Sequence, residues 1–269
     1  MPLTTTGDQL LDRSLATVGG KGLFIKELER ALLDNKADIA VHSTKDIPAE
    51  ITPGLVICSY LEREDPRDAF LSTKYSHLSI LPAGSIIGTA SPRRESMIKR
   101  HRPDLDVKLL RGNVITRIKK LEAGEYDGIV LAAAGLKRLS LENKVRHYFT
   151  LEESLPAVGQ GVIAIECRED DRNTQNLIKA LDHAETRACV LAERTLNQKL
   201  GGSCHAAIGS FAHIKNNKII LKSTVSSLDG KVMYTSQAED EIKNSIILGN
   251  TVAENLLAQG AYELLAAQI

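Results

Sequence analysis

Three turns in this 269-residue chain hold residues whose types and spacing could do chemistry. In Ser91-Pro92-Arg93-Arg94, Ser91 suits the N-cap of a helix and Pro92 its first residue. The free N–H groups and positive dipole end of such a helix attract anions. Two arginines in that first turn oppose the usual preference for acids there, so an anion must offset them. An external ligand is the favoured candidate, with nearby carboxylates as the alternative. Arg111-Gly112-Asn113 repeats the design. A strand end meets a glycine that lets backbone approach a ligand, then an Asn cap, with Arg117 one turn on and on the same face. Arg138 follows the small-residue run Ala132-Ala133-Ala134-Gly135. Guanidinium forks bind carboxylates and phosphates bidentately, so five arginines around one cleft fit a ligand with several carboxylates. Gly20-Lys21-Gly22 lacks the spaced first glycine and the following Ser or Thr of a nucleotide-binding loop.

The third turn, His42-Ser43-Thr44-Lys45-Asp46-Ile47-Pro48, sets a carboxylate beside a lysine at a strand end. Capping a turn is the commonest job of such an aspartate. A position opposite the arginines makes Asp46 a candidate for acid–base work. Gly201-Gly202-Ser203-Cys204-His205 presents a cysteine on a flexible loop. Cys58, Cys167 and Cys189 lie in apolar patterns and read as small buried hydrophobes, whereas Cys204 reads as a reactive thiol or an attachment point. A Cys204–His205 dyad is disfavoured, because neighbours in a strand point to opposite faces. No C-x-x-C pair occurs, so no metal is expected.

Composition narrows the function classes. Lys plus Arg and Asp plus Glu number 34 each, yet Arg93 to Lys120 holds ten basic residues against three acids. A local excess of that size in a neutral chain marks a focused anion site. For most of the lysines a solvated helix face is the better account. The chain has no Trp and few aromatics, which argues against base-stacking platforms and a nucleic-acid partner. No apolar run has the length of a membrane span. Met1 to Thr6 has neither the basic nor the apolar region of a secretory signal. A cytoplasmic protein with free thiols is expected.

The positioning elements follow from periodicity. Gly22 to Asn35 has helical spacing, and 37–42, 55–60 and 68–71 read as strands. From residue 84 strand and helix alternate: 85–88 then 92–101, 107–110 then 114–122, 128–131 then 133–139. That rhythm predicts a mostly parallel, doubly wound sheet. Strand 161–166 follows the linker-like Leu155-Pro156-Ala157-Val158-Gly159 and returns to the first lobe. Helices within 173–198 precede an antiparallel meander over 208–214, 218–226 and 231–237, with Asp229-Gly230 as a hairpin turn. Helical spacing over 245–267 closes the chain. The expected fold is α/β: two doubly wound lobes and a small α+β C-terminal domain. In open α/β sheets ligands sit beyond the carboxyl ends of the strands, where the polar clusters lie.

Several motifs, in order, resemble the porphobilinogen deaminase (hydroxymethylbilane synthase) family. They are Gly19-Gly20-Lys21-Gly22-Leu23-Phe24, Val41-His42-Ser43-Thr44-Lys45-Asp46-Ile47-Pro48 and Glu62-Arg63-Glu64-Asp65-Pro66-Arg67-Asp68. They continue with Gly88-Thr89-Ala90-Ser91-Pro92-Arg93-Arg94, Leu110-Arg111-Gly112-Asn113-Val114 and Pro156-Ala157-Val158-Gly159-Gln160-Gly161. The resemblance implies a bilobed, periplasmic-binding-protein-like pair of domains, 1–61 with 160–180 and 66–155. A C-terminal domain over 184–269 carries the cysteine loop. It implies a transferase that joins four porphobilinogen molecules head to tail, releases ammonia at each step, and frees a linear tetrapyrrole for haem biosynthesis. Growth is primed on a dipyrromethane cofactor held covalently through a thioether, here on Cys204.

By the same resemblance Asp46 is catalytic: it protonates the leaving amine and stabilises the cationic azafulvene and the pyrrole N–H groups. Arg93, Arg94, Arg111, Arg117 and Arg138 bind acetate and propionate groups. Ser43, Lys45, Thr89, Ser91 and Gln160 support them, and Lys21 and Phe24 belong to a lid or loop. A monomer is implied. The family's opening strand and helix, with an R-x-S-x-L-A-x-x-Q motif, are expected to be lacking here. Pro92 replaces an aliphatic residue, and the cysteine loop reads Gly-Gly-Ser-Cys-His-Ala-Ala where Gly-Gly-Cys-Gln-Val-Pro is common. A non-catalytic bilobed polycarboxylate-binding module and an inactive truncated deaminase are the alternatives.

Overall fold

Strand pairing sorts the computed structural model, which describes residues 25–202 and 206–268, into three sheets. The first joins β1 (Ala40–Ser43), β2 (Leu55–Tyr60) and β8 (Ile163–Arg168), with β8 in the middle and antiparallel to both neighbours. Helix α1 (Lys26–Leu33) covers it, burying Leu32 against Ala40 and Leu55. His42 and Glu166 form a buried pair at 3.0 Å inside this sheet.

The second sheet contains β3 (Asp68–Leu71), β4 (Ile86–Thr89), β5 (Asp106–Leu109), β6 (Gly128–Ala132) and β7 (His147–Tyr148), in the order β5-β4-β6-β3-β7. β4 is parallel to β5 and β6, whereas β3 is antiparallel to β6 and β7. The expected mostly parallel sheet therefore contains one reversed strand. That reversal sets Asp68, the first residue of β3, opposite Ala132, the last residue of β6. An acid thus arrives at the carboxyl edge of the parallel strands. Alternate residues feed two cores. Phe70 and Val130 pack with Met97 and Ile98 of α2 (Pro92–His101). Ala69, Leu71, Ile129 and Leu131 pack with Ile118 and Leu121 of α3 (Val114–Glu122) and Leu136 of α4 (Ala133–Arg138). A period of two with helices on both faces is the doubly wound arrangement.

After the short α5 (Arg172–Ile178), the third sheet is an antiparallel meander of β9 (Ile208–Lys215), β10 (Lys218–Ser226) and β11 (Met233–Glu241). Its core comes from α6 (Ala184–Lys199), α7 (Ser245–Ala258) and α8 (Ala261–Ala266). The helical spacing over 245–267 is divided at Gln259-Gly260 into the last two of these. No helix among the described residues is long and apolar enough to cross a membrane.

Two segments, 61–67 and 155–162, run side by side between the first and second sheets. Leu61 N–H donates to Ile163 O and Glu64 N–H to Gly161 O, both at 2.9 Å. Gly161 has φ +84°, and a Cβ there would run into the Glu64 carbonyl, so this close pass requires glycine.

Candidate active site

The site is built at the carboxyl edge of the second sheet and the end of β1. Ser91 holds the N-cap position of α2 with extended backbone, and Pro92 opens the helix, but the Ser91 hydroxyl makes no capping bond. Thr89 Oγ1 instead accepts from Ser91 N–H at 3.1 Å. Arg93 and Arg94 turn inward and are buried. Arg93 Nη1 donates to Asp68 Oδ2 at 2.6 Å, to Leu155 O at 2.7 Å and to Ser154 Oγ at 3.1 Å. Arg94 Nε donates to Asp68 Oδ1 at 3.0 Å and its Nη1 to Val130 O at 3.1 Å. A single internal carboxylate thus pairs with both arginines, the alternative weighed for this turn, and leaves one positive charge of the two in excess. Burial alone would raise the Asp68 carboxyl. Arg93 and then Arg94 outweigh that and hold it far below the usual carboxylate range.

Gln160 completes this network. It is 1% exposed, donates to Asp68 Oδ1 at 3.0 Å and Pro66 O at 2.6 Å, and accepts from Arg94 Nη2 at 3.4 Å. Sequence reasoning named Gln160 but gave Asp68 no role beyond opening a strand. The available signal was an acid at the head of the fully buried run Asp68-Ala69-Phe70-Leu71, since a buried acid demands a cation.

Arg111 and Arg117 behave differently. Asn113 caps α3, accepting from Thr116 N–H at 2.9 Å. Gly112 has φ +105° and a Cβ there would strike Thr116, so the turn itself demands this glycine. Arg117 Nε donates to Gly112 O at 2.7 Å, and Arg111 Nε is buried without a partner among the described residues. Neither has a carboxylate in contact among the described residues. Burial, with the charges of Arg94 and Arg111, pushes Arg117 down to about 10, although Asp46 pulls it the other way.

Lys45 and Asp46 lie in the 3-10 turn Thr44–Asp46 that follows β1. Thr44 N–H donates to Val162 O at 2.9 Å, which fixes the turn on segment 155–162. Ser43 is half-buried at the end of β1. Lys45 is half-buried and has no hydrogen-bond partner among the described residues. Burial lowers its pKa, Asp46 and Asp68 oppose this, and Arg94 and Arg117 add to it. Asp46 is exposed, and its charge acts on Lys45, Arg94 and Arg117. Asp46 therefore sits in the field of cations from its own turn and from α2 and α3.

Arg138 is exposed at the last residue of α4 and has no hydrogen-bond or ion-pair partner among the described residues. Outside the arginine cluster, Arg102 is held by Asp104 and by carbonyls of Leu78, Ser79 and Leu81, closing a loop. Lys21, Phe24 and Cys204 lie outside the described residues. Burial pushes the Cys167 and Cys189 thiols up to about 12. Cys58 is only half-buried, and its thiol donates to Ile165 O. Raised thiols of this kind are poor nucleophiles.

The expected linker, 155–159, is a junction of all three sheets. Beside the Leu155 O contact to Arg93, Gly159 N–H donates to Glu193 Oε2 at 2.7 Å and Pro156 O accepts from Ser210 N–H at 2.8 Å, while the next residues Gln160 and Val162 reach Arg94 and Thr44. Glu193, fully buried on α6, also takes Arg63 bidentately at 2.8 and 3.0 Å and Ala212 N–H at 2.8 Å.

Among solved structures, a putative methionine-binding lipoprotein from Bacillus subtilis is 15% identical at a TM-score of 0.40, covering 60% of this chain and 76% of that one. An ABC transporter periplasmic substrate-binding protein from Coxiella burnetii is 15% identical at 0.40, covering 56% and 74%. A YaeC-family pheromone precursor lipoprotein from Enterococcus faecalis is 15% identical at 0.40, covering 64% and 89%. Likeness at this level says nothing about what this chain binds. Family models give a specific answer. Residues 1–176 match the dipyrromethane cofactor binding domain of porphobilinogen deaminase, and residues 187–258 match its C-terminal domain. With these two matches covering most of its length, the chain belongs to the porphobilinogen deaminase family, transferases of tetrapyrrole biosynthesis.

Proposed function

We propose that this chain condenses four porphobilinogen molecules head to tail, with release of ammonia, into hydroxymethylbilane. The observation that carries this reading is the uncompensated positive charge facing Asp46. Among the described residues Lys45, Arg111 and Arg117 have no carboxylate in contact and the Arg111 Nε is buried without a partner, and burial depresses both Lys45 and Arg117. Such a cluster is costly unless an anion fills it.

The donor set suits a dipyrromethane, whose two pyrroles each bear two carboxylates. When bound, that group supplies the primer on which the chain of pyrroles grows. Lys45, Arg111 and Arg117 would hold its carboxylates and those of the substrate, with Ser43, Ser91 and the first-turn N–H groups of α2 as further donors. Arg93, Arg94 and Gln160 act one layer deeper, locking Asp68 and so the edge on which the others stand. Thr89 positions Ser91. Asp46 is exposed to substrate and takes the acid–base role: its carboxyl gives a proton to the departing amine and its carboxylate then accepts pyrrole N–H bonds. Under this reading Cys204 is the attachment point, the divisions 1–61 with 160–180, 66–155 and 184–269 are the domains, and the enzyme is a cytosolic monomer.

Intact mass under denaturing conditions tests the proposal. The purified chain should exceed its sequence mass by two pyrrole units, and Cys204→Ser should remove the excess. D46A should retain carboxylate binding and lose turnover. A bare mass together with no ammonia release from porphobilinogen would leave a polycarboxylate binder.

A further inference from the structure

Away from the cleft, two histidines and a glutamate from two separate pieces of chain converge on one point. His77 lies in the loop between β3 and β4, His147 is in the edge strand β7, and Glu153 is in the turn that follows. Their ligand atoms all lie within 4.8 Å of one another. His147 Nε2 is 3.3 Å from Glu153 Oε2, and His77 Nε2 is 3.7 Å from Glu153 Oε1. The imidazole rings meet edge to face at 4.3 Å. All three side chains are between a quarter and a third exposed, so an ion can enter and carry water.

We propose that His77, His147 and Glu153 form a binding site for a divalent transition-metal ion of the zinc class. The donor set decides the ion class: two imidazoles with one carboxylate suit borderline-soft ions, whereas calcium and magnesium take oxygen ligands. The spacing agrees, because zinc–ligand bonds near 2.0–2.2 Å in tetrahedral array put ligand atoms roughly 3.3 Å apart.

The supports are already placed. Thr150 N–H donates to Glu153 Oε2 at 2.7 Å and orients the carboxylate. The buried Phe149 ring stands edge-on behind His147 at 5.3 Å. Ser79 Oγ lies 2.6 Å from His77 Nδ1 and can accept its proton when Nε2 binds the ion, the outer-sphere arrangement that metal-bound histidines use. Ser79 N–H also donates to that Nδ1 at 3.0 Å, a bond that would be given up when an ion takes Nε2. One of the two carboxylate oxygens is less well held than the other. Glu153 Oε1 has the 3.7 Å approach of His77 as its side-chain contact, too long for a hydrogen bond. Cysteine spacing in the sequence gives no hint of this site, because the ligands are 70 and 6 residues apart and meet only through the β3–β7 pairing.

Titration of the full chain with Zn2+ by calorimetry, and with Co2+ followed by visible absorption, tests the site. One equivalent should bind, with Co2+ giving ligand-field bands and no sulfur charge-transfer band. H147A and E153Q should each weaken Zn2+ by at least about tenfold, the loss that removal of even an outer-sphere partner causes, while deaminase activity and the thermal melt stay near wild type. Absence of binding to the wild-type chain would overturn the proposal. So would unchanged affinity in both variants, or a thiolate charge-transfer band showing that the ion sits on cysteines.

Discussion

Asp68 holds two arginines in a dry pocket, and neutralising it would leave both charges unpaired. D68N should therefore lower stability by about 3–5 kcal/mol, the usual cost of breaking a buried pair from one side, as read from urea unfolding. Its folded pKa is depressed, so its contribution is present above the ordinary carboxylate value and disappears only as pH falls well below it. The wild-type protein should lose this contribution in strong acid, and D68N should lack that acid limb. Lys45 has the opposite sign. It is a half-buried cation with no hydrogen-bond partner among the described residues, so K45M should stabilise the protein without ligand by about 1 kcal/mol and weaken polycarboxylate binding. Because its folded pKa lies below 10.5, the unfolded chain holds the proton longer and stability rises with pH in that window. K45M should flatten the rise. Opposite effects on melting and on ligand affinity separate an anion-facing lysine from one that merely packs.

At the scale of elements, G161A should destabilise by about 2–3 kcal/mol in thermal melts, combining a positive φ with a backbone collision. Helices 92–101 and 114–122 were legible in the sequence to the residue, because their starts carry their own local signals: proline at the first position of one and an asparagine cap on the other. The reversed β3 was not legible. Strand direction is settled by pairing partners sixty residues away in Ala132 to Ile129, and four buried residues give no sense of direction by themselves. The same distance concealed Asp68, whose arginines follow 25 and 26 residues later. Local rule-breaking at Arg93 and Arg94 was visible, but its meaning depended on that remote acid. The stretch 155–159 read as a linker because proline, glycine and small residues look alike in a tether and in a tight passage between packed sheets.

Across the whole molecule, Glu193 joins the two crossing segments to the third sheet through Arg63, Gly159 and Ala212. R63M should cost about 3–5 kcal/mol by leaving a fully buried carboxylate without its partner, and R63M/E193M should cost less than R63M and E193M added together. Denaturant midpoints of the four proteins give the coupling directly. The central place of β8 has a further outcome during synthesis. Every strand of the second sheet lies between residues 68 and 148, so that sheet can assemble as soon as its own stretch has left the ribosome. The first sheet cannot: β1 and β2 share no ladder until residues 163–168 arrive between them. The piece that begins first must therefore finish second, with its apolar strands waiting through more than a hundred residues of translation, the interval in which a chaperone would find it.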